Sequence, residues 1–225
     1  FLLVIIASFF QGSFGLGMKY MEPLKWEAWW IIHVTIAMII LPIAWAIMVV
    51  PNLFEVIGNA PSESLFLGML FGFLWGVGGI LFGKSVPYIG LSLTYGIVMG
   101  LAASVGSIIP LLQVEDAFSN PATSYVIISV VIMLIGVALT AKAGIERDNL
   151  IGDTNDSSNM SKGILIAVSC GVLSALLNVG FANATPVALE AEKMGALTRN
   201  SSLAAWVIVL LGAFLMNFGY AVVLL

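Results

Sequence analysis

The residues of this chain that can do chemistry are mostly neutral. Gln11 and Ser13, Thr35, Ser92, Thr94 and Tyr95, Ser174, Asn178, Asn183 and Asn217 are amides and hydroxyls set inside long apolar runs. In hydrocarbon each such group needs a hydrogen-bond partner, which a neighbouring helix ordinarily supplies. Taken together with Trp75, which stands in a glycine-lined run, they suit a neutral polyhydroxylated ligand. A sugar lays an apolar face on an aromatic ring and offers its hydroxyls to amides. Gln11, Trp75, Tyr95, Asn178 and Asn217 are therefore the candidate ligand-binding residues.

His33 is the single histidine and falls one turn inside an apolar run. An ionisable group at membrane depth is costly and tends to mark a pathway, which makes His33 the proton-coupling candidate. The competing reading is an interfacial histidine beside Trp29 and Trp30. The apolar runs contain no Asp or Glu, so a cationic ligand would lack the carboxylate it calls for.

One apparent signature is set aside. Gly78 to Ser85, GGILFGKS, fits the pattern G-x-x-x-x-G-K-[ST]. A phosphate cradle needs a strand before it and a helix after it; here the glycines close an apolar run and Pro87 follows. Lys84 reads better as a basic anchor at the membrane face. With one His and one Cys, no metal-ligand cluster can form from those residue types, and H-E-x-x-H and G-x-S-x-G are absent. Neither an enzyme nor a cofactor or metal is expected.

The elements that must hold these residues follow from composition. The chain is 60% hydrophobic and 9% charged over 225 residues, far from soluble norms. Its net charge of -4 is spread over connections, leaving no footprint for nucleic acid. Apolar runs long enough to span a bilayer as helix fall at about 1–18, 29–50, 65–83, 88–112, 124–143, 163–184 and 201–225. Seven transmembrane helices are expected. Pro42 stands inside the second, where a local kink is expected. Trp26, Trp29 and Trp30 read as an interfacial aromatic belt. The chain opens at Phe1 and stops at Leu225, each inside an apolar run, the pattern of a fragment.

The run 65–112 holds ten of the 23 glycines and one charge, Lys84. It predicts a hairpin of two spans turning at Lys84-Ser85-Val86-Pro87. Gly68, Gly72 and Gly76, then Gly79 and Gly83, fall four apart, as do Ser92, Gly96, Gly100 and Ser104. This is the small-xxx-small spacing that lets backbones approach closely in membranes. Of the eight Lys and Arg, Lys19, Lys25, Lys84, Lys142, Arg147 and Lys162 belong to odd connections, against Lys193 and Arg199 in an even one. The odd connections are thus expected inside.

The polar segment 146–162 separates five spans from two. An odd number of spans before a seam inverts the unit after it, the arrangement of inverted-repeat transporters. A shift of 163 residues lays Gln11 on Ser174, Gly12 on Ala175, Gly17 on Gly180 and Pro23 on Pro186. The expected organisation is a first repeat over 1–144, a polar connection over 145–162 and the start of a second repeat over 163–225.

Leu24-Lys25-Trp26-Glu27, Ile40-Leu41-Pro42, Trp75-Gly76-Val77-Gly78, Tyr88-Ile89-Gly90, Cys170-Gly171, Ser174-Ala175, Pro186 and Asn217 are similar, in order, to the bacterial L-rhamnose–proton symporters. The resemblance runs along essentially the whole chain, and the Trp75 hairpin is its most specific part. It implies the drug/metabolite transporter superfamily, an all-α integral membrane protein of ten spans in two inverted five-helix repeats, with three spans beyond Leu225. It further implies multi-pass placement in the inner membrane and a small sugar and a proton as partners besides the lipid bilayer. Alternatives are another carrier of that superfamily, for a metabolite, nucleotide sugar or drug, or a non-transporting polytopic subunit.

Overall fold

The computed structural model describes residues 2–19, 21, 23–113, 116–151 and 157–225, with every side chain among them except those of 11, 12, 14–19, 147–151, 157 and 158. Each regular element among these residues is helical, as a chain that must satisfy its backbone without water requires. In order they are α1 (Leu2–Lys19), α2 (Trp26–Val34), a π-helical stretch (Thr35–Ile40), α3 (Leu41–Val49), α4 (Leu53–Asn59), α5 (Ser62–Leu112), a 3-10 turn (Ala117–Ser119), α6 (Pro121–Ile151), α7 (Ser157–Asn183), α8 (Thr185–Lys193) and α9 (Thr198–Leu224). Among the described residues five stretches are long and apolar enough to cross a bilayer: Trp26–Val49, Ser62–Leu112, Pro121–Glu146, Asn159–Lys193 and Thr198–Leu224. The first expected span corresponds to α1, which is not one of the five; its Leu2, Leu3, Phe9 and Phe10 are exposed.

The two spans expected at 65–83 and 88–112 are joined in α5, whose 51 residues would reach about 77 Å if straight, more than twice a bilayer core of about 30 Å. It is not straight. Gly90 has φ 75° and ψ 164°, a backbone state that costs glycine little because it has no Cβ. Phe82 and Tyr95, thirteen residues apart, bring their ring centroids to 4.9 Å, where a straight helix would separate them by about 20 Å. Ser85 Oγ and Thr94 Oγ1 lie 3.2 Å apart. The chain doubles back at Gly90, several residues beyond the expected turn, because Lys84 to Pro87 keep helical geometry and only Gly90 takes the reversing φ.

Packing gives each helix a direction. Places for a Cβ on Gly68, Gly72 and Gly76 meet Ile208, Val209 and Ala213 in that order, so α9 runs parallel to the first arm of α5. Those on Gly163, Gly171 and Gly106 meet Tyr88, Leu101 and Asn178, so α7 runs parallel to the second arm. Gly144 meets Leu93, while Gly96 meets Thr140 and Gly100 meets Val137, which makes α6 antiparallel to that arm. α2 lies antiparallel to α9, with Trp26 against Tyr220 and Trp30 against Asn217.

The connections gather at two ends. At one, α4 and α8 pack together, and Val50, Leu53, Val56, Val187 and Ala191 join one apolar cluster with Ala204 and Ile208. The sixth connection is thus an amphipathic helix, burying Val187 and Ala191 while Lys193 pairs outside with Glu190 at 2.8 Å. At the other end the Lys84 ammonium stands 5.5 Å over the Tyr220 ring and Lys162 stands 5.4 Å over Tyr88. The expected loop 145–162 is shorter than its composition suggested: α6 continues to Ile151 and α7 begins at Ser157, with Lys142 and Glu146 forming an i,i+4 pair at 3.7 Å. Residues 152–156 of that segment lie outside the described residues.

The expected disturbance at Pro42 takes a definite form. Proline cannot donate to the carbonyl four residues back and its ring crowds it. The helix widens to π geometry immediately before, over Thr35–Ile40, and the Leu41 N–H donates to the Ile36 carbonyl, five residues back.

Glycine is a steric requirement where helices touch. A methyl group on Gly72 would overlap the Val209 carbonyl, and one on Gly212 the Met69 carbonyl. Backbone cannot yield as a side-chain end can, so Gly72→Ala is expected to destabilise the protein by about 1–3 kcal/mol through overpacking. Gly58→Ala, with none of the described residues within 4 Å, should leave the melting temperature of detergent-solubilised protein unchanged or slightly raised. Equal melting of the two variants would contradict this packing.

Candidate functional site

Between the arms of α5 and against α2, α7 and α9 lies a cavity of about 420 Å³, within the roughly 300–1,000 Å³ of small-molecule sites. The first arm of α5 presents Trp75, Gly79, Phe82 and Gly83 to it, spaced i, i+4, i+7 and i+8, which is one helical face. The second arm, returning from Gly90, presents Tyr95, Val98 and Met99. α7 adds Ser174 and Asn178, α9 adds Asn217, and α2 with the π stretch adds Trp26, Trp30 and Met38. Trp75, Tyr95, Asn178 and Asn217, scattered over 143 positions of chain (217 − 74), thus meet on one surface.

Asn217 is the most constrained polar group of that surface. It is 1% exposed, its Oδ1 accepts from Trp30 Nε1 at 3.1 Å and its Nδ2 donates to the Ala213 carbonyl at 2.9 Å. These bonds use one of two donor hydrogens and one of two lone pairs of the amide. Asn217 is at the same time one of the residues lining the cavity. Gly76 makes the placement possible, since a methyl there would come within 3.0 Å of Asn217 Nδ2 and 2.8 Å of Met216 Cβ. Across the cavity Asn178 lies against Gly106, where a methyl would overlap its Nδ2. Ser174 Oγ lies 3.8 Å from Cys170 Sγ, which donates to the Gly78 carbonyl at 3.0 Å. The cysteine is a helix-to-helix contact, and GGILFGKS is unbroken helix with no loop to cradle phosphate.

The aromatic wall is wider than Trp75 alone. Trp26 and Trp30 stack at 5.3 Å and 21°, and Trp29 meets Trp30 edge-on at 5.2 Å. The belt expected of these tryptophans is corrected: Trp29 and Trp30 are each 7% exposed, and Trp26 and Trp30 line the cavity. Their spacing held the signal, because Trp26, Trp30 and His33 fall at i, i+4 and i+7 on one helical face, which an interfacial girdle does not need. His33 itself is not among the lining residues. It stacks on Trp30 at 5.3 Å and 27°, one ring behind the cavity, and meets Trp29 edge-on at 5.9 Å. Gln11 has its side chain outside the described residues.

Asp, Glu, Lys, Arg and His are missing from the described lining residues. Among the described residues, no three His, Cys, Asp or Glu gather to hold a metal. What this surface can do is stack, donate and accept hydrogen bonds, and exclude charge.

A family model described as L-rhamnose-proton symport protein matches residues 2–225. An L-rhamnose-proton symporter of Mannheimia succiniciproducens is 30% identical over 209 residues, covering 92% of this chain and 61% of that protein. One of Yersinia pestis bv. Antiqua is 28% identical over 205 residues, covering 90% of this chain and 60% of its own length. The chain therefore spans about three fifths of these relatives. No solved structure matches.

Trp30→Phe keeps the ring contacts and removes the N–H that Asn217 accepts. Leaving a buried acceptor without its donor costs roughly 1–3 kcal/mol. The variant should melt lower than the wild type, and Trp30→Phe/Asn217→Leu should recover part of the loss. A double variant as unstable as the sum of its single changes would argue against the bond.

Proposed function

Because the chain belongs to the L-rhamnose-proton symport protein family, we propose that it acts in secondary active transport, moving a neutral sugar such as L-rhamnose with a proton across the bacterial inner membrane by alternating access. The observation that carries this reading is the uncharged cavity with Trp75, Tyr95, Asn178 and Asn217 on its walls. Aromatic rings beside amides recognise a sugar, and the missing charge disfavours an ionic cargo. Gln11 is proposed as a further ligand from α1.

The same reading makes seven crossings of the helices, with the two arms of α5 as separate spans. Alternating helix directions support it, as does the gathering of Lys84 and Lys162 at one end, with α4 and α8 at the other. We assign the Lys84 end to the cytoplasm. Residues 1–144 then form a first five-helix repeat, 145–162 the connection and 163–225 the first two helices of an inverted second repeat. His33 is proposed to link proton and sugar through the Trp30 ring, which stacks on His33 and hydrogen-bonds Asn217.

Membrane vesicles carrying the protein in its natural reading frame test the function. L-rhamnose should drive proton entry, and collapsing the proton gradient should abolish accumulation. Uptake indifferent to the gradient would remove the coupling claim. Trp75→Ala should lower uptake about two- to tenfold, the loss of one stacking contact of roughly 0.5–1.5 kcal/mol. His33→Phe, which preserves an aromatic ring beside Trp30, should retain downhill exchange of L-rhamnose and lose proton-driven accumulation. Accumulation intact in His33→Phe would clear His33 of the role.

A further inference from the structure

The glycines of the first arm of α5 divide into two kinds. Those at 68, 72, 76 and 78 are held by packing: added methyl groups would meet Ala184 Cβ at 3.1 Å, overlap the Val209 carbonyl, meet Met216 Cβ at 2.8 Å and meet Ser174 Oγ at 3.1 Å. Gly79 is different. Among the described residues a methyl there finds one neighbour within 4 Å, Asn217 Oδ1 at an ordinary 3.6 Å, and its φ is helical rather than positive. Neither packing nor backbone conformation asks for glycine, and glycine inside a helix is less stable than alanine. Gly83 also has open space, but it is exposed, at the mouth beside Lys84. Gly79 is half-buried, one turn from Trp75 and against the side-chain amide oxygen of Asn217, in the wall of the cavity itself.

We propose that Gly79 sets the size of ligand that the cavity accepts. Resting on the transport reading above, the empty volume beside Trp75 and Asn217 is the seat of the sugar's terminal carbon, the methyl group that distinguishes L-rhamnose from a pentose of the same ring stereochemistry. A side chain at 79 fills that volume while leaving the helix contacts of α5 untouched. Position 79 is a specificity-determining site, separable from the packing glycines that flank it.

The test titrates L-rhamnose and that pentose into the detergent-solubilised protein, following tryptophan fluorescence, in wild type, Gly79→Ala, Gly76→Ala and Gly58→Ala. Gly79→Ala should melt at or above the wild-type temperature. Its preference for L-rhamnose over the pentose should fall about tenfold, the low end of what one methyl group's space is worth in a pocket, roughly 10–200-fold. Gly76→Ala should lose stability and weaken both sugars together, and Gly58→Ala should change nothing. Equal weakening of both sugars by Gly79→Ala, an unchanged or increased preference, or a Gly79→Ala that fails to fold each overturns the proposal. A wild type that responds to neither sugar refutes the transport reading, and this proposal falls with it; a responding wild type confines any failure to Gly79.

Discussion

The fold depends on one close approach. Where α5 crosses α9, Gly72 faces the Val209 carbonyl and Gly212 faces the Met69 carbonyl, so each backbone occupies space a side chain would take on the other. In lipid, apolar side chains give helices little reason to prefer one another, and contact at backbone distance supplies dispersion that larger residues forbid. This contact fixes the height and rotation of α9 against α5. Asn217 rides one turn and more beyond it, and the rotation set at Gly72 delivers its amide to the cavity rather than to lipid.

From there the polar wiring extends helix by helix. Asn217 receives the Trp30 indole N–H, which draws α2 onto α9, and the Trp26 and His33 rings stack on either face of the same indole. α7 meanwhile seats between the arms of α5, against Gly78 on one and Gly106 on the other, and carries Ser174 and Asn178 to the opposite wall. The cavity is what remains when three helices approach as closely as their glycines allow and the aromatic rows of α2 and α5 cannot.

Much of this was legible in the chain. Glycines four apart announced the contact face, and amides inside apolar runs announced groups that must meet partners or a ligand; Trp75, Tyr95, Asn178 and Asn217 do share one surface. Other features were hidden for physical reasons. The hairpin turns at Gly90 rather than near Pro87 because Pro87 keeps helical geometry, whereas the positive φ of Gly90 reverses the chain. Trp26 and Trp30 looked interfacial because local pattern says nothing about which neighbour covers a helix face, and that neighbour is α9, nearly two hundred residues away. The polar stretch 146–162 passed for loop because polar residues are common to loops and to helix ends, and α6 runs on to Ile151 before α7 begins at Ser157.

The π stretch at Thr35–Ile40 carries a consequence for how such a chain can change by insertion and deletion. A π turn holds one residue more than an α-helix of the same length would place there. Dropping any one residue from this window would return it to plain α-helix of about the same length and leave everything before it in nearly the same orientation relative to α3, whereas dropping one from the α-helical residues after it would turn everything before by about 100°. In that second case Trp26, Trp30 and His33 would swing together away from α9, although none of them had been altered. The π stretch is therefore a place where a residue can be lost between Trp30 and Pro42 without changing the phase of the aromatic row.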